Sequence, residues 1–393
     1  MCSRSEPAAG HTRRPDMRGS TAGLGATLPG GSRAHSALLE FADVVFASVV
    51  VAPAVVTYWK STWSLLDLYV LTSDPVLSAA ACAAFGLCCD LIFCVCQAQL
   101  TARLTPERGR LTYYAASRAC TYVAGVACVG AWRGVWNLLN ECTGDSARTL
   151  MSTTAAATLS LAALRVLRNI CAAPFAVAVD SPQDYFNVPT MFRTSSRETA
   201  LYILDCVFSV TVVGSLVVFV WRGSWALLDI FLYPNDVVKS CWTSLIVGYA
   251  LVVLTFAVQA PMRWAVARLQ GAPRLLIADV YHLVSFFATV NVWRGVWGLL
   301  DVYFFPDTPK LSNWCSHIVS LTLLILLNCS NSILVRGVYI DAEEPNGDCV
   351  VFPCHYLRLY FHKEKVKKRL KQAADSTRTE EASVPLQTPE DKV

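Results

Sequence analysis

The chain has 393 residues, 54% of them apolar and only 16% charged, with a formal net charge of +4. Soluble domains carry about 25% charged residues, so this apolar surplus has to be hidden from water and an ordinary soluble globule is excluded. Histidine is scarce, at six, and there is no Walker loop, Gly-x-Ser-x-Gly, His-Glu-x-x-His or paired Cys-x-x-Cys, so the expectation is a protein that is not an enzyme, with no cofactor, no metal and no nucleic-acid partner.

Residues 1–35 are rich in Gly, Ser, Ala, Pro and Arg and lack an apolar core. They read as a disordered cytoplasmic segment rather than a cleavable signal, and an Arg-rich mitochondrial transit peptide is the alternative. Runs of roughly 20 apolar residues suit a bilayer. Eight follow, near 41–58, 76–100, 112–131, 150–173, 201–220, 241–260, 275–292 and 314–335.

A nine-residue pattern recurs after every second run: Trp59-Lys60-x-x-Trp63-x-Leu-Leu-Asp67, Trp132-Arg133-Gly134-x-Trp136-x-Leu-Leu-Asn140, Trp221-Arg222-Gly223-x-Trp225-x-Leu-Leu-Asp229 and Trp293-Arg294-Gly295-x-Trp297-x-Leu-Leu-Asp301. A fixed repeat of this kind marks duplicated supersecondary units. The expected fold is an all-α integral membrane protein of eight transmembrane helices, built from four parallel two-helix repeats. Asp43 and Asp205, Trp59 and Trp221, and Gln97 and Gln259 each stand 162 residues apart. The repeats are therefore nested in two similar four-helix halves, 36–173 and 200–337, joined by a connection at 174–199 and followed by a basic segment and tail at 338–393.

Of the 33 Lys and Arg, most fall in the termini and in the connections lacking the Trp pattern. The positive-inside rule then puts both termini in the cytoplasm and all four motifs on the far side. Indole collects at membrane interfaces and a neighbouring cation can snorkel to headgroups, so the motifs read as an anchoring aromatic belt. An outer ring of cations framing a vestibule is the alternative. On that side Cys82, Cys142, Cys241 and Cys315 are the thiols able to pair in an oxidising space.

A second polar layer is expected at the other end. Asp43, Asp205, Asp279 and Arg118 lie 14–16 residues before their motif tryptophan, and Gln97, Asn169, Gln259 and Asn331 lie 37–38 after it. His282 stands one helical turn from Asp279. Ionisable groups at such depth usually face the bundle interior in pairs. Mutual pairing that ties the four units together is expected, with Arg118 matched to Asp279 and His282 a partner for Asp279; a cation or proton path is the alternative. Asn328-Cys329-Ser330 matches the glycosylation pattern but lies in an expected span.

In the last segment Lys363, Lys365, Lys367, Lys368, Arg369 and Lys371 form a basic cluster that suits anionic lipid or a partner protein. Cys349 and Cys354 are candidates for palmitoylation, and the chain after Ala373 reads as a disordered tail.

These motifs, above all the Trp-Arg-Gly-x-Trp copies beginning at Trp132, Trp221 and Trp293, resemble the Fuseless family of eight-pass membrane proteins over about residues 38–337; the first copy departs, with Lys60-Ser61-Thr62. The resemblance implies a neuronal, presynaptic membrane protein that supports synaptic transmission and organises voltage-gated calcium channels with active-zone scaffold proteins. It brings no catalytic or ligand residues.

Overall fold

The computed structural model describes residues 33–182 and 184–383; residues 1–32 of the segment expected to be disordered (1–35) and the last residues, 384–393, lie outside that range, and residues 33–35 of that segment begin the first helix. Among the described residues the chain is all helical, without a strand: α1 (Arg33–Phe46), α2 (Ala52–Tyr69), α3 (Pro75–Arg103), α4 (Arg110–Thr143), α5 (Ala147–Ala163), α6 (Thr199–Val207), α7 (Gly214–Phe231), α8 (Val237–Arg268), α9 (Gly271–Tyr303), α10 (Pro309–Leu326) and α11 (Tyr356–Ser383). Short π-helical stretches, Ala47–Val51 and Phe208–Val213, join α1 to α2 and α6 to α7 into continuous rods. Among the described residues, five helical segments are long and apolar enough to cross a membrane: Ala37–Tyr69, Pro75–Arg103, Thr199–Phe231, Val237–Arg268 and Gly271–Tyr303. The 34-residue α4 is diluted by Arg118, Arg133 and its Ser, Thr and Gly content, while α5 and α10 have only 17 and 18 residues.

Each motif sits inside a helix rather than after one, so α2, α4, α7 and α9 carry their tryptophan pairs near their C-terminal ends. These four helices neighbour one another in a closed ring, α2 to α4, α4 to α7, α7 to α9 and α9 to α2. The other four flank them. Each motif helix packs most extensively on the flanking helix of the unit before it: α4 on α3, α7 on α5, α9 on α8 and, closing the circle, α2 on α10. The α5–α7 contact spans the 174–199 connection.

In the second, third and fourth motifs the glycine after the cation makes this approach possible, while the first has the buried Ser61 there. A β-carbon on Gly295 would lie 2.8 Å from the Leu245 backbone of α8, and one on Gly134 would overlap the Ala83 backbone of α3. Small residues let helix backbones meet closely, which matters where lipid supplies no hydrophobic drive for association. At the motif end, Asp74 and Asp236 cap α3 and α8 by accepting Leu77 N–H and Lys239 N–H at 3.0 and 2.9 Å. Ser78 and Ser312 each bond a carbonyl eight residues back, Val70 O and Phe304 O.

Two expected spans are only partly helical. α5 stops at Ala163 and α10 at Leu326; each is followed by a left-handed residue, Arg165 (φ 58°) or Asn328 (φ 54°), and a 3-10 turn, Leu167–Ile170 or Ser330–Ile333. Polar side chains at Arg165, Arg168, Asn169, Asn328, Ser330 and Asn331 break the apolar run here. The turns bend under the motif ring and are almost completely buried. Helix α11, in turn, extends ten residues beyond Ala373 to Ser383, through sequence read as a disordered tail.

Replacing Gly295 by Ala pushes a β-carbon into Leu245 backbone that cannot rotate away, and should cost about 1–3 kcal/mol as overpacking. Gly214→Ala, with no atom nearer than 4.0 Å, should be neutral or slightly stabilising. Thermal midpoints of the detergent-purified variants check the pair; equal midpoints would remove the close-approach role.

Candidate functional site

The helical spacing of the motif puts its two tryptophans one turn apart on one face, and the ring turns that face to a common axis. Trp59, Trp132, Trp221 and Trp293 close a four-membered edge-to-face circuit with centroids 5.1, 5.8, 5.1 and 5.6 Å apart. Trp63, Trp136, Trp225 and Trp297 close a second circuit at 5.6, 6.2, 5.6 and 5.9 Å. Such perpendicular contacts satisfy the indole quadrupole and add about 0.5–1.5 kcal/mol each beyond burial. Trp59, Trp221 and Trp293 are 2%, 3% and 5% exposed. The belt expectation is corrected: the indoles are the inner wall of the protein, not anchors in the headgroups.

The cations close a third circuit. Arg133 donates to Asp67 at 2.7 Å, Arg222 to Asn140 at 2.7 Å, Arg294 to Asp229 at 2.8 Å and Lys60 to Asp301 at 2.8 Å. Each motif thus gives its cation to the acid or amide of the motif before it. All four cations are buried, their neighbours supplying the remaining acceptors. Ser78 Oγ takes a bond from Arg133, and Ser240 Oγ and Ser244 Oγ from Arg294. Where Asn140 replaces an acid, Arg222 adds Asp145 at 2.8 Å. Lys60, with fewer donors than Arg, adds Asn313 at 2.9 Å.

Below the indoles the two short turns seal the axis. Trp59, Trp221 and Trp293 donate their indole N–H to Ile333 O, Ile170 O and Ala173 O at 2.9, 2.9 and 2.8 Å. The eight tryptophans, with Ala172 and Val335, line a cavity of about 170 Å³ along this axis.

The second polar layer is not one network. Asp205 accepts from Phe192 N–H, Thr194 N–H and the Thr190 hydroxyl, and Gln97 pairs with both backbone groups of Val188, so together they fix the 188–194 loop on α6 and α3. Asp43 accepts from Leu357 N–H and Arg358, and Gln259 from Phe352 N–H, which fixes the corresponding stretch before and into α11. Asn169 pairs with both backbone groups of Tyr339, and Asn331 accepts from Thr121. Arg118 meets Asn328 at 2.9 Å and Asp180 at 3.3 Å, not Asp279. Asp279 and His282 face Asp341.

Asp180 and Asp341 were missed. Asp180 accepts from the backbone N–H groups of Ser330 and Asn331, and Asp341 from those of Leu167 and Arg168. The segment that follows each half therefore caps the sealing turn of the other half. Their 161-residue separation matches the repeat period, which is the signal that could have found them.

Cys82, Cys142, Cys241 and Cys315 are unpaired thiols. Cys349 and Cys354 are buried, which removes them as accessible acylation sites. The start of α11 is docked: Tyr356 stacks on Phe46 at 4.6 Å, and Arg358 bonds Asp43, Glu40 and His355. Beyond it Lys365, Lys367, Lys368, Arg369 and Lys371 are exposed; Lys363 lies on the same helix, its side chain outside the described set. The Fuseless family model matches residues 38–334. No curated protein and no solved structure matches the chain.

Asn140 in the second link is backed by Asp145, whereas the other acceptors of Arg294 are neutral. Asp229→Asn, which keeps an acceptor but removes the carboxylate, should therefore destabilise, and Asp229→Ala, which removes both, should cost more, about 2 kcal/mol or above. Thermal unfolding of both variants measures the difference. Burial, with Arg358 alongside, holds the His355 imidazole down to about 4. A folded-state value below the unfolded one means protonation opposes docking, so this contribution is complete above about pH 6.5 and fades as pH falls towards 4. Hydrogen exchange in α11 should rise over that window in the wild type and less in His355→Gln.

Proposed function

The chain belongs to the Fuseless family, and on that premise we propose that it is an eight-pass, non-enzymatic membrane scaffold acting through its cytoplasmic face at the presynaptic plasma membrane. The three helices α4, α5 and α10 complete the eight crossings, because each packs extensively on one of the five that are apolar enough alone. The distribution of Lys and Arg favours both termini in the cytoplasm, with the motif turns outside.

The observation that carries a scaffold rather than a conduit is the blocked axis. Indole circuits held together edge to face, bonded through three N–H groups to turns that are themselves capped, favour a rigid plug over an open path. What remains for interaction is the opposite face, where two braced loops and the exposed basic side of α11 stand together. That basic side suits anionic lipid of the inner leaflet. The partners in this reading are voltage-gated calcium channels or active-zone scaffold proteins, as the family resemblance implies.

A second reading, a transporter or channel, is favoured by the 170 Å³ Trp-lined cavity. In that case Trp225→Ala should change flux in proteoliposomes at unchanged abundance. A scaffold shows no flux to change.

Proximity labelling from the C-terminus in neurons should enrich calcium-channel subunits, and deleting residues 356–371 should disperse them while the chain stays in the membrane. Labelling no higher than a membrane control, or an undisturbed channel pattern, would count against the scaffold. An impermeant maleimide should reach the exposed Cys142 on intact cells but not a C-terminal tag cysteine; equal access to both would contradict the orientation.

A further inference from the structure

Beneath the seal, α9 places Asp279 and His282 at i and i+3, and Asp341 meets them from the segment that follows the second turn. One ligand atom from each lies within 4.8 Å of the others. All three are buried, at 8%, 1% and 0% exposure. Asp279 Oδ1 and both ring nitrogens of His282 have no hydrogen-bond partner. The Cys349 backbone lies beside the ring but outside hydrogen-bond geometry. A buried polar atom left unmatched costs about 1–3 kcal/mol, and one ring nitrogen of His282 and one oxygen each of Asp279 and Asp341 are close enough to share a single ion.

The nearby cations make their hydrogen bonds elsewhere. Asp279, Asp341 and Glu344 are three carboxylates beside the three guanidinium groups of Arg165, Arg168 and Arg274. Arg168 is committed to Glu344 at 2.8 Å, Arg165 donates to the Asp341 carbonyl at 3.3 Å and Arg274 to the Glu344 carbonyl, so none of these contacts goes to the Asp279 or Asp341 carboxylate. Asp341 is oriented from behind by Leu167 N–H and Arg168 N–H at 2.6 and 2.9 Å. That is the outer-shell support metal-ligating carboxylates carry, and each oxygen keeps a lone pair.

We propose that Asp279, His282 and Asp341 bind one divalent transition-metal cation of the Zn²⁺ class. An acid and a histidine three residues apart on one helix present two ligands to the same point, a spacing that helical bundles use to hold metals. Two oxygen ligands and one imidazole suit Zn²⁺ or Mn²⁺ better than Ca²⁺, which takes six to eight oxygens. Ligand atoms about 2.0–2.2 Å from an ion stand about 3.4 Å apart, so the three close onto it with movements of about 1 Å. The bound ion joins α9 to Asp341, and through the Asp341 cap to the sealing turn of the first half. Its role is to lock the plug.

The full-length chain, purified in detergent, stripped with chelator and re-equilibrated with Zn²⁺, should hold about one zinc per molecule by elemental analysis. Asp279→Asn and His282→Gln, accepted only if they elute as the wild type does and keep its tryptophan emission, should retain at least tenfold less. Cys142→Ser should retain as much as the wild type. If neither variant folds, Co²⁺ loading of the wild type decides, with visible d–d bands expected. A wild type that stays metal-free, folded variants that keep its zinc content, colourless Co²⁺-treated protein, or uptake of Ca²⁺ equal to that of Zn²⁺ would each overturn the proposal.

Discussion

The link from each motif cation to the acid or amide one motif back is the interaction on which the rest of this fold depends. In lipid, apolar helices gain nothing by hiding apolar surface from one another, so association needs close backbones, hydrogen bonds and specific side-chain contacts. The nine residues of the motif provide all three. An indole pair faces the axis, a cation reaches back, a small residue, glycine in three copies and Ser61 in the first, admits the flanking helix of the preceding unit, and the last residue waits for the next cation. A contact made head to tail in this way generates either an endless array or a closed ring, and here the rotation between units closes it at four.

The burial of Lys60, Arg133, Arg222 and Arg294 is a cost that this geometry offsets. A cation removed from water is tolerated when its remaining donors are met, and the hydroxyls of Ser78, Ser240 and Ser244, with Asn313 for Lys60, do so. The carboxylates of Asp67, Asp229 and Asp301 remain about half exposed at the turn end. Each pair is thus anchored in water on one side only, which lessens the desolvation penalty while keeping the direction of the link.

The motif was legible because its residues recur in register, and so were the helical nature of the chain and its membrane character. Which way the indoles face was not. A tryptophan beside an arginine has the same composition in a headgroup belt and in an axial ring, and only the partner helices decide. The pairing of Arg222 with Asn140 was hidden for a related reason: the sequence shows cation and acid within one motif, while the ring joins neighbours. The ends of α5 and α10 escaped because apolar residues such as Ile170 and Ile333 follow the polar break and carry the apolar run past it, while the chain turns at the left-handed Arg165 and Asn328. Asp43, Asp205, Gln97 and Gln259 stood out as polar residues in apolar surroundings. Their partners did not: Asp43, Gln97 and Gln259 bond groups far along the chain, and Asp205 the backbone and hydroxyls of the loop just before its helix, none of which carries a sequence signal.

Three of the four cation links join motifs that are consecutive in the chain and become available as synthesis proceeds. The fourth does not: Lys60 and Asp301 are 241 residues apart, and α2 has its flanking partner only once α10 has been made. Until then the nascent protein exposes an unmatched lysine and an uncovered face on its oldest membrane helix. A chain halted before α9 is an open arc with complementary ends, Lys60 and Asp229, able to complete itself with a second copy in place of its own missing quarter.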